Sequence, residues 1–269
     1  MESILILNKL KMTFKLSSKL LRRSFFFKRL FDILFSTIAL IILLTPLAII
    51  YIAILCTSYF PIIYWSDRVG KNNVVFKMPK FRSMTKVTPL LPKEKLKRPD
   101  KWLTPLGALL RKTSLDELPQ LWCVLKGEMS LVGPRPNVKR ETDLYTKAEK
   151  NLLRIRPGIT DFASIIFSDE SEILKNVDDP DISYNQLIRP WKSRLGLFYI
   201  KKQSIQLDIL IIIFTILSFF YRDISLILVN RTLKKLNAPQ DLCNFSLRKD
   251  KLKPTSPPGS NAIVLTREA

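Results

Sequence analysis

The sequence contains no histidine in its 269 residues. That excludes Ser-His-Asp and Cys-His nucleophiles and histidine-ligated metals, and leaves carboxylates, hydroxyls and hard-metal chemistry. Cysteine is nearly absent too: Cys56, Cys123 and Cys243 are scattered and odd in number. They give neither a disulfide framework nor a zinc spacing, which fits a reducing compartment. Acidic side chains are scarce beside basic ones, 23 against 44, for a formal net charge of +21. Such a surplus calls for a polyanionic partner: nucleic acid, anionic membrane or phosphorylated substrate. There is no nucleic-acid-binding motif, and the aromatic residues are not interleaved as stacking platforms.

Charge itself is missing from residues 33–66. The run is too long for a core helix or a signal peptide's apolar region. Drawn as one straight helix, its apolar part would reach about 45 Å, beyond a hydrocarbon core of roughly 30 Å. Thr45-Pro46 falls in the middle, where proline removes a backbone bond and a threonine hydroxyl can satisfy a freed carbonyl. A kinked span competes with a re-entrant helix that leaves by the face it entered. Residues 1–32 carry eight Lys/Arg and residues 67–101 carry eleven. A span would strand one basic flank outside, and each arm about Pro46, at roughly 13–15 residues, is short for a crossing. Charge favours re-entry. Residues 1–24, with Lys9, Lys11, Lys15, Lys19, Arg22 and Arg23, then read as a basic tail on anionic lipid.

Beyond the apolar run, Ile62 to Met84 carries β-formers around Gly70-Lys71-Asn72-Asn73 and predicts a hairpin. Its Lys77, Lys80 and Arg82 either blunt a sheet edge or face phosphates and headgroups. Residues 85–103, rich in Lys and Pro, read as a loop near the membrane surface. Thr104-Pro105 opens a helix running through Leu106, Leu109 and Leu110 to Arg111.

The stretch 111–136 organises the chain. The adjacent carboxylates Asp116 and Glu117 stand at a helix start that Ser114 or Asp116 can cap. Leu118, Leu121, Trp122 and Leu125 follow at helical spacing up to Gly127. A capping box alone would account for Ser114 and Glu117. Against that, two acids sit where a helix dipole stabilises negative charge and where phosphate binds. Gly133-Pro134-Arg135-Pro136 then holds a guanidinium in a stiff turn, suited to phosphate.

Several blocks together resemble the bacterial sugar transferase family, the monotopic polyprenyl-phosphate phosphoglycosyl transferases. They are Lys28-Arg29-Leu30-Phe31-Asp32, Arg68-Val69-Gly70, Phe76-Lys77, Lys80-Phe81-Arg82-Ser83-Met84, the central stretch, and Arg156-Pro157-Gly158-Ile159-Thr160. They keep order and spacing over roughly residues 25–220. The resemblance implies a re-entrant helix with a Ser/Thr-Pro break, here Thr45-Pro46, and a basic residue near the active site, here Arg111. It implies a nucleotide diphosphate sugar and a polyprenyl phosphate as substrates, with the first acid of the pair as nucleophile and the second essential. Asp161 and Ser164 depart from the usual Gly and Gln after Gly158-Ile159-Thr160, putting the acceptor or sugar contacts of that loop in doubt. Cys123 for Asn and Glu128 for Asp are milder departures.

Residues 138–153 predict an amphipathic helix ending before Arg156-Pro157. The acidic stretch 168–181 matches no Ca²⁺ loop and reads as solvated. Ile209 to Tyr221 is too short to span, so it lies in the interface or packs on the core. The fold expected is mainly α with a small β-hairpin. It comprises a basic tail (1–24), a Pro-broken re-entrant membrane helix (25–64), a cytoplasmic catalytic domain with interfacial amphipathic helices (65–236) and a disordered tail (237–269). The expected location is the cytoplasmic face of the bacterial inner membrane.

The expected chemistry breaks a diphosphate in two displacements, with Asp116 as carboxylate nucleophile, held ionised by the helix start. Two adjacent like charges call for a cation, here Mg²⁺ on Asp116 and the diphosphate. Arg111, Arg135, Arg82 and Lys80 are the candidates to neutralise phosphate oxygens. The product would be a polyprenyl-diphospho-sugar that starts an exopolysaccharide, lipopolysaccharide or other glycan. The competing readings are a non-catalytic scaffold of the same fold and a plain basic membrane-surface or nucleic-acid binder.

Overall fold

A computed structural model describes residues 2–58, 60–85, 102–175 and 177–266, with side chains from residue 25 onward. The basic side chains expected to meet lipid at residues 9–23, and the loop at 86–101, lie outside the described side chains and residues. The backbone of the expected tail is helical: helix α1 runs Glu2–Ser58 without interruption, Pro46 included. The helix expected to be broken at Thr45-Pro46 is therefore carried through. Proline costs the ladder only the bond to the Ile42 carbonyl and leaves the remaining turns intact.

The part of α1 from Phe25 to Ser58 is long and apolar enough to cross a membrane. Both arms about Pro46 nevertheless touch the same body. Ahead of it, Phe31, Ala39, Leu40 and Leu43 join the main core. Beyond it, Leu47, Ile50, Ile54 and Leu55 form a second cluster with Ile62, Phe81 and Leu110. The opposite face, with Ile41, Ile42, Leu44 and Ile49, is exposed.

A short turn with a cis Phe60-Pro61 bond leads from α1 to β1 (Ile63–Val69). Strand β1 pairs antiparallel with β2 (Val75–Phe81), Trp65 opposite Pro79 and Asp67 opposite Lys77. The turn between them is the expected one; Asn72 and Asn73 both take positive φ, which Asn tolerates. Helix α2 (Gly107–Lys112) follows, with Leu110 buried and Leu109 exposed. A 3₁₀ segment, Leu115–Gln120, runs into α3 (Leu121–Lys126), which Gly127 ends in the left-handed region at φ 88°.

Strand β3 (Ser130–Val132) then pairs in parallel with β4 (Gly158–Thr160), a contact the periodicity does not predict. Its condition is a near-touching glycine pair. A Cβ on Gly158 would lie 2.1 Å from the Gly133 nitrogen, so neither position admits a side chain. Between these strands the helix expected over 138–153 is split. Helix α4 (Lys139–Asp143) stops, and a 3₁₀ turn, Glu149–Arg154, resumes. Thr146 and Glu149 explain the restart: Glu149 N–H donates to Thr146 Oγ1 and Thr146 N–H to Glu149 Oε2, each at 3.1 Å.

The rest is helical: α5 (Phe162–Ile166), α6 (Glu170–Ile173), α7 (Pro180–Ser183), α8 (Arg189–Lys202), α9 (Ile205–Ser218) and α10 (Arg222–Lys235). Helix α9 buries Leu207, Ile211 and Phe214 and exposes Ile209, Leu210, Ile213 and Ile216. The disordered tail expected from 237 is instead held on the domain as far as 266. Helix α11 (Gln240–Ser246) buries Leu242 and Cys243, and Phe245 stacks on Trp191 at 4.0 Å. Thr255 N–H donates to the Gln186 carbonyl, and Gln186 Nε2 donates to the Val264 carbonyl.

One ionic knot joins α1 to this body. Lys28 Nζ lies 3.0 Å from Asp32 and 2.8 Å from Asp208 of α9. Asp32 also accepts from Ser130 Oγ and Leu131 N–H, and Asp208 accepts from the Tyr199 hydroxyl at 2.6 Å. One helical turn of α1 thus reaches α8, α9 and β3.

Candidate active site

Three neighbouring pieces of chain build the site. The 3₁₀ segment carries Asp116 and Glu117, strand β2 carries Lys80, and the turn after β3 carries Arg135. The start of the segment differs from the expected cap. Ser114 takes φ 55°, in the left-handed region, and its side chain makes no capping bond. Only its carbonyl serves, accepting from the Glu117 N–H at 3.1 Å.

The two acids occupy different surroundings. Glu117 Oε1 is 2.8 Å from Lys80 Nζ, and both its oxygens are 2.7 Å from Arg135 Nη2. Burial works against its charge, yet Arg135 and Lys80 outweigh it and hold the carboxyl well below the ordinary glutamate range. Asp116, 7% exposed, makes no ion pair among the described residues. Burial pushes its carboxyl above the ordinary aspartate value; Lys80 pulls it down, Glu117 adds to the rise, and Arg111 again lowers it. A hydrogen bond from its own backbone N–H, at the start of the segment, lowers it as well, so the stabilisation expected there acts beside Lys80 and Arg111 and is outweighed by burial.

The phosphate candidates divide in the same way. Lys80 and Arg135 face the pair, but both are engaged by Glu117 rather than free. Arg135 is fixed from behind, its Nη1 donating to the Ile159 carbonyl of β4. Arg111 Nε donates to Ser83 Oγ at 2.9 Å, and its charge lowers the Asp116 carboxyl. Arg82, just past β2, is half-buried and its Nη1 is sealed without a hydrogen bond; nothing places it in the pair's ion network. Ser83 and the Ile159 carbonyl are the residues the sequence reading missed. Both lie inside blocks quoted for the resemblance, but their roles emerge only when strands from distant stretches meet.

Asp161 and Ser164 prove to be one device. Asp161 caps α5, accepting from Ser164 N–H at 2.6 Å and Ser164 Oγ at 2.7 Å. The two departures from the family pattern bond to each other, and the Asp161 charge acts on Arg135.

A metal has a narrow place here. Among the described residues no three Asp, Glu, His or Cys side chains converge. Glu117 is occupied by two cations, so Asp116 alone of the pair can offer a carboxylate. Mg²⁺ is commonly held by one or two carboxylates together with substrate phosphates and water, and such a donor set fits only once a diphosphate is present.

An open apolar groove of about 570 Å³ lies between α1 and the β1–β2 hairpin. Leu44, Leu47 and Tyr51 of α1 form one wall, and Trp65, Pro79, Pro119 and Trp122 the other. Trp122, expected on the packed face of its helix, is 52% exposed, while Cys123 and Val124 are buried instead. The 3₁₀ segment shifts the angular phase ahead of α3 and turns Trp122 into the groove.

Residues 23–222 match the model of a family described as bacterial sugar transferase. The chain is 38% identical over 201 residues to an undecaprenyl-phosphate glucose phosphotransferase of Komagataeibacter xylinus, covering 70% of this chain and 35% of the relative. It is 35% identical over 198 residues to a UDP-glucose:undecaprenyl-phosphate glucose-1-phosphate transferase of Klebsiella pneumoniae, covering 72% and 40%. It is 40% identical over 149 residues to the exopolysaccharide production protein ExoY of Sinorhizobium fredii, covering 49% and 66%. The chain thus spans little more than a third of the first two relatives.

Proposed function

The chain belongs to the bacterial sugar transferase family, and on that premise we propose that it moves a sugar-1-phosphate from a nucleotide diphosphate sugar, of the UDP-sugar class, to polyprenyl phosphate. The observation that carries the reading is Asp116. It is a buried carboxylate with no ion pair among the described residues, beside Glu117 and lowered by the charges of Lys80 and Arg111.

In the first displacement an Asp116 oxygen attacks the sugar-bearing phosphorus, and the bond to the bridging oxygen breaks. The nucleoside monophosphate leaves with that oxygen, and an aspartyl-phosphate ester of the sugar remains. In the second, an oxygen of the lipid phosphate attacks the same phosphorus. The Asp116–phosphorus bond breaks and the carboxylate is restored. No proton is gained or lost in either step. Lys80, Arg111 and Arg135 stabilise the charge that builds on phosphoryl oxygens. Mg²⁺, held by Asp116 with the diphosphate, would supply further charge neutralisation for the leaving group.

The groove suits the polyprenyl chain, and the exposed faces of α1 and α9 suit lipid. Residues of α1 on both sides of Pro46 pack on one body, which supports a re-entrant helix over a span; the site would then work at headgroup depth, on the cytoplasmic side of the inner membrane. The product would begin an exopolysaccharide or lipopolysaccharide glycan. The scaffold alternative loses its motive, because the departures at Asp161 and Ser164 form a helix cap.

Intact-protein mass measurement after incubation with a panel of UDP-sugars tests the reading. A sugar-phosphate adduct on the wild type, absent from Asp116→Asn, is the expected result. Transfer retained by Asp116→Asn would remove the nucleophile.

A further inference from the structure

The roles of Lys80 and Arg135 leave a question: both are aimed at the reaction centre, yet both are bonded to Glu117. We propose that Glu117 is a built-in stand-in for substrate phosphate, holding Lys80 and Arg135 in place until a phosphate oxygen of the donor takes over its bonds. The inference rests on the transfer reading and assigns Glu117 a role that the reading leaves open.

The geometry carries it in three ways. A carboxylate that accepts from Arg and Lys together presents two cations with what a phosphate presents them, anionic oxygens at charge-assisted hydrogen-bond distance. The Glu117 contacts, at 2.7–2.8 Å, are of that kind. Second, the cations stay when Glu117 goes. Arg135 is tied through Nη1 to the Ile159 carbonyl, and Lys80 projects from a strand paired along its whole length with β1. Glu117, by contrast, sits on a 3₁₀ segment rather than a paired strand, and its side chain is 21% exposed.

Third, Glu117 separates two like charges. Lys80 and Arg135 both bond to it, and without it these two cations would face each other across the space it fills. With it they are preorganised, and binding exchanges one anion for another instead of ordering two long side chains. The same contacts argue against Glu117 as a resting metal ligand, since both its oxygens are engaged.

A stand-in competes with what it imitates, whereas a residue that merely positions the cations assists it, and the two roles move affinity in opposite directions. The test uses the full chain in nanodiscs of anionic lipid, with inorganic pyrophosphate as the probe and calorimetry in the absence of Mg²⁺. Glu117→Gln, which fills the space without competing charge, is expected to bind pyrophosphate about tenfold tighter than wild type while turning over more slowly. Glu117→Asp keeps the charge but loses the reach to hold both cations, and is expected to bind at least about threefold tighter. If Glu117→Gln lowers the thermal unfolding midpoint, Glu117→Asp decides. Affinity equal to or weaker than wild type in the folded variant overturns the proposal. The wild-type adduct experiment is run on the same preparation: loss of the adduct with tighter pyrophosphate binding would sink the transfer reading instead.

Discussion

Two clusters in this protein have nearly the same composition and opposite surroundings. In the knot at the foot of α1, Lys28 sits between Asp32 and Asp208, with side-chain exposures of 10%, 2% and 0%. At the candidate active site, Lys80 and Arg135 grip Glu117, with exposures of 21–30%, and Asp116 stands beside them. In the knot every acid is also met by hydroxyl or backbone donors: Ser130 and Leu131 on Asp32, Tyr199 on Asp208. In the site Asp116 has no ion pair among the described residues. A sealed cluster must satisfy its members internally, because an unpaired buried charge is costly. An open one can leave a member for an incoming ligand.

The comparison fails if the two clusters respond alike to substitution. The largest effect should come from Asp116→Asn: transfer, followed by radiolabelled sugar release into lipid, falls about 10³-fold or more, roughly 4 kcal/mol of transition-state stabilisation. Its unfolding midpoint in detergent should be unchanged. Lys28→Met should show the reverse pattern. It strands Asp32 and Asp208 together, so unfolding should become easier by about 3–5 kcal/mol, read from denaturation profiles. Adding Asp208→Asn should recover part of that loss, since the pair is coupled. Lys80→Ala should reduce transfer about 10²-fold, near 2.7 kcal/mol, and shift stability by no more than about 1 kcal/mol, as expected of a part-exposed pair. A stability loss at Lys80 as large as at Lys28 would erase the distinction. The smallest effect is expected at the loop: Asp161→Ala removes a cap worth about 1 kcal/mol and should leave the aspartyl adduct detectable.

Local signals survived folding well. The hairpin turn at 70–73, the stop at Gly127 and the apolar run at 209–221, helical as far as Ser218, depend on neighbours in sequence, and the pattern announces them. The carboxylate pair was visible for the same reason. Its ion pairs were not, since Glu117 meets Lys80 and Arg135 across separations of 37 and 18 residues. The β3–β4 pair escaped because three-residue strands carry no periodicity; the only trace was Gly133 and Gly158. The segment 237–266 looked too polar to pack. Its few apolar anchors, Leu242, Cys243 and Phe245, suffice because they enter a surface already shaped by α8 and α10. The split near 144–148 shows the converse: an apolar rhythm was present, but Thr146 offered the backbone a better bond than the next helical turn.

One contact of α1 links bilayer and chemistry mechanically. Arg29 donates its guanidinium to the Val124 and Leu125 carbonyls, the last turn of the short helix α3, whose other end continues into the segment bearing Asp116. Six residues of helix make a strut of about 9 Å. A tilt of α1 therefore reaches Asp116 through a single rigid link, so turnover should respond to acyl-chain length as a lever responds to its fulcrum.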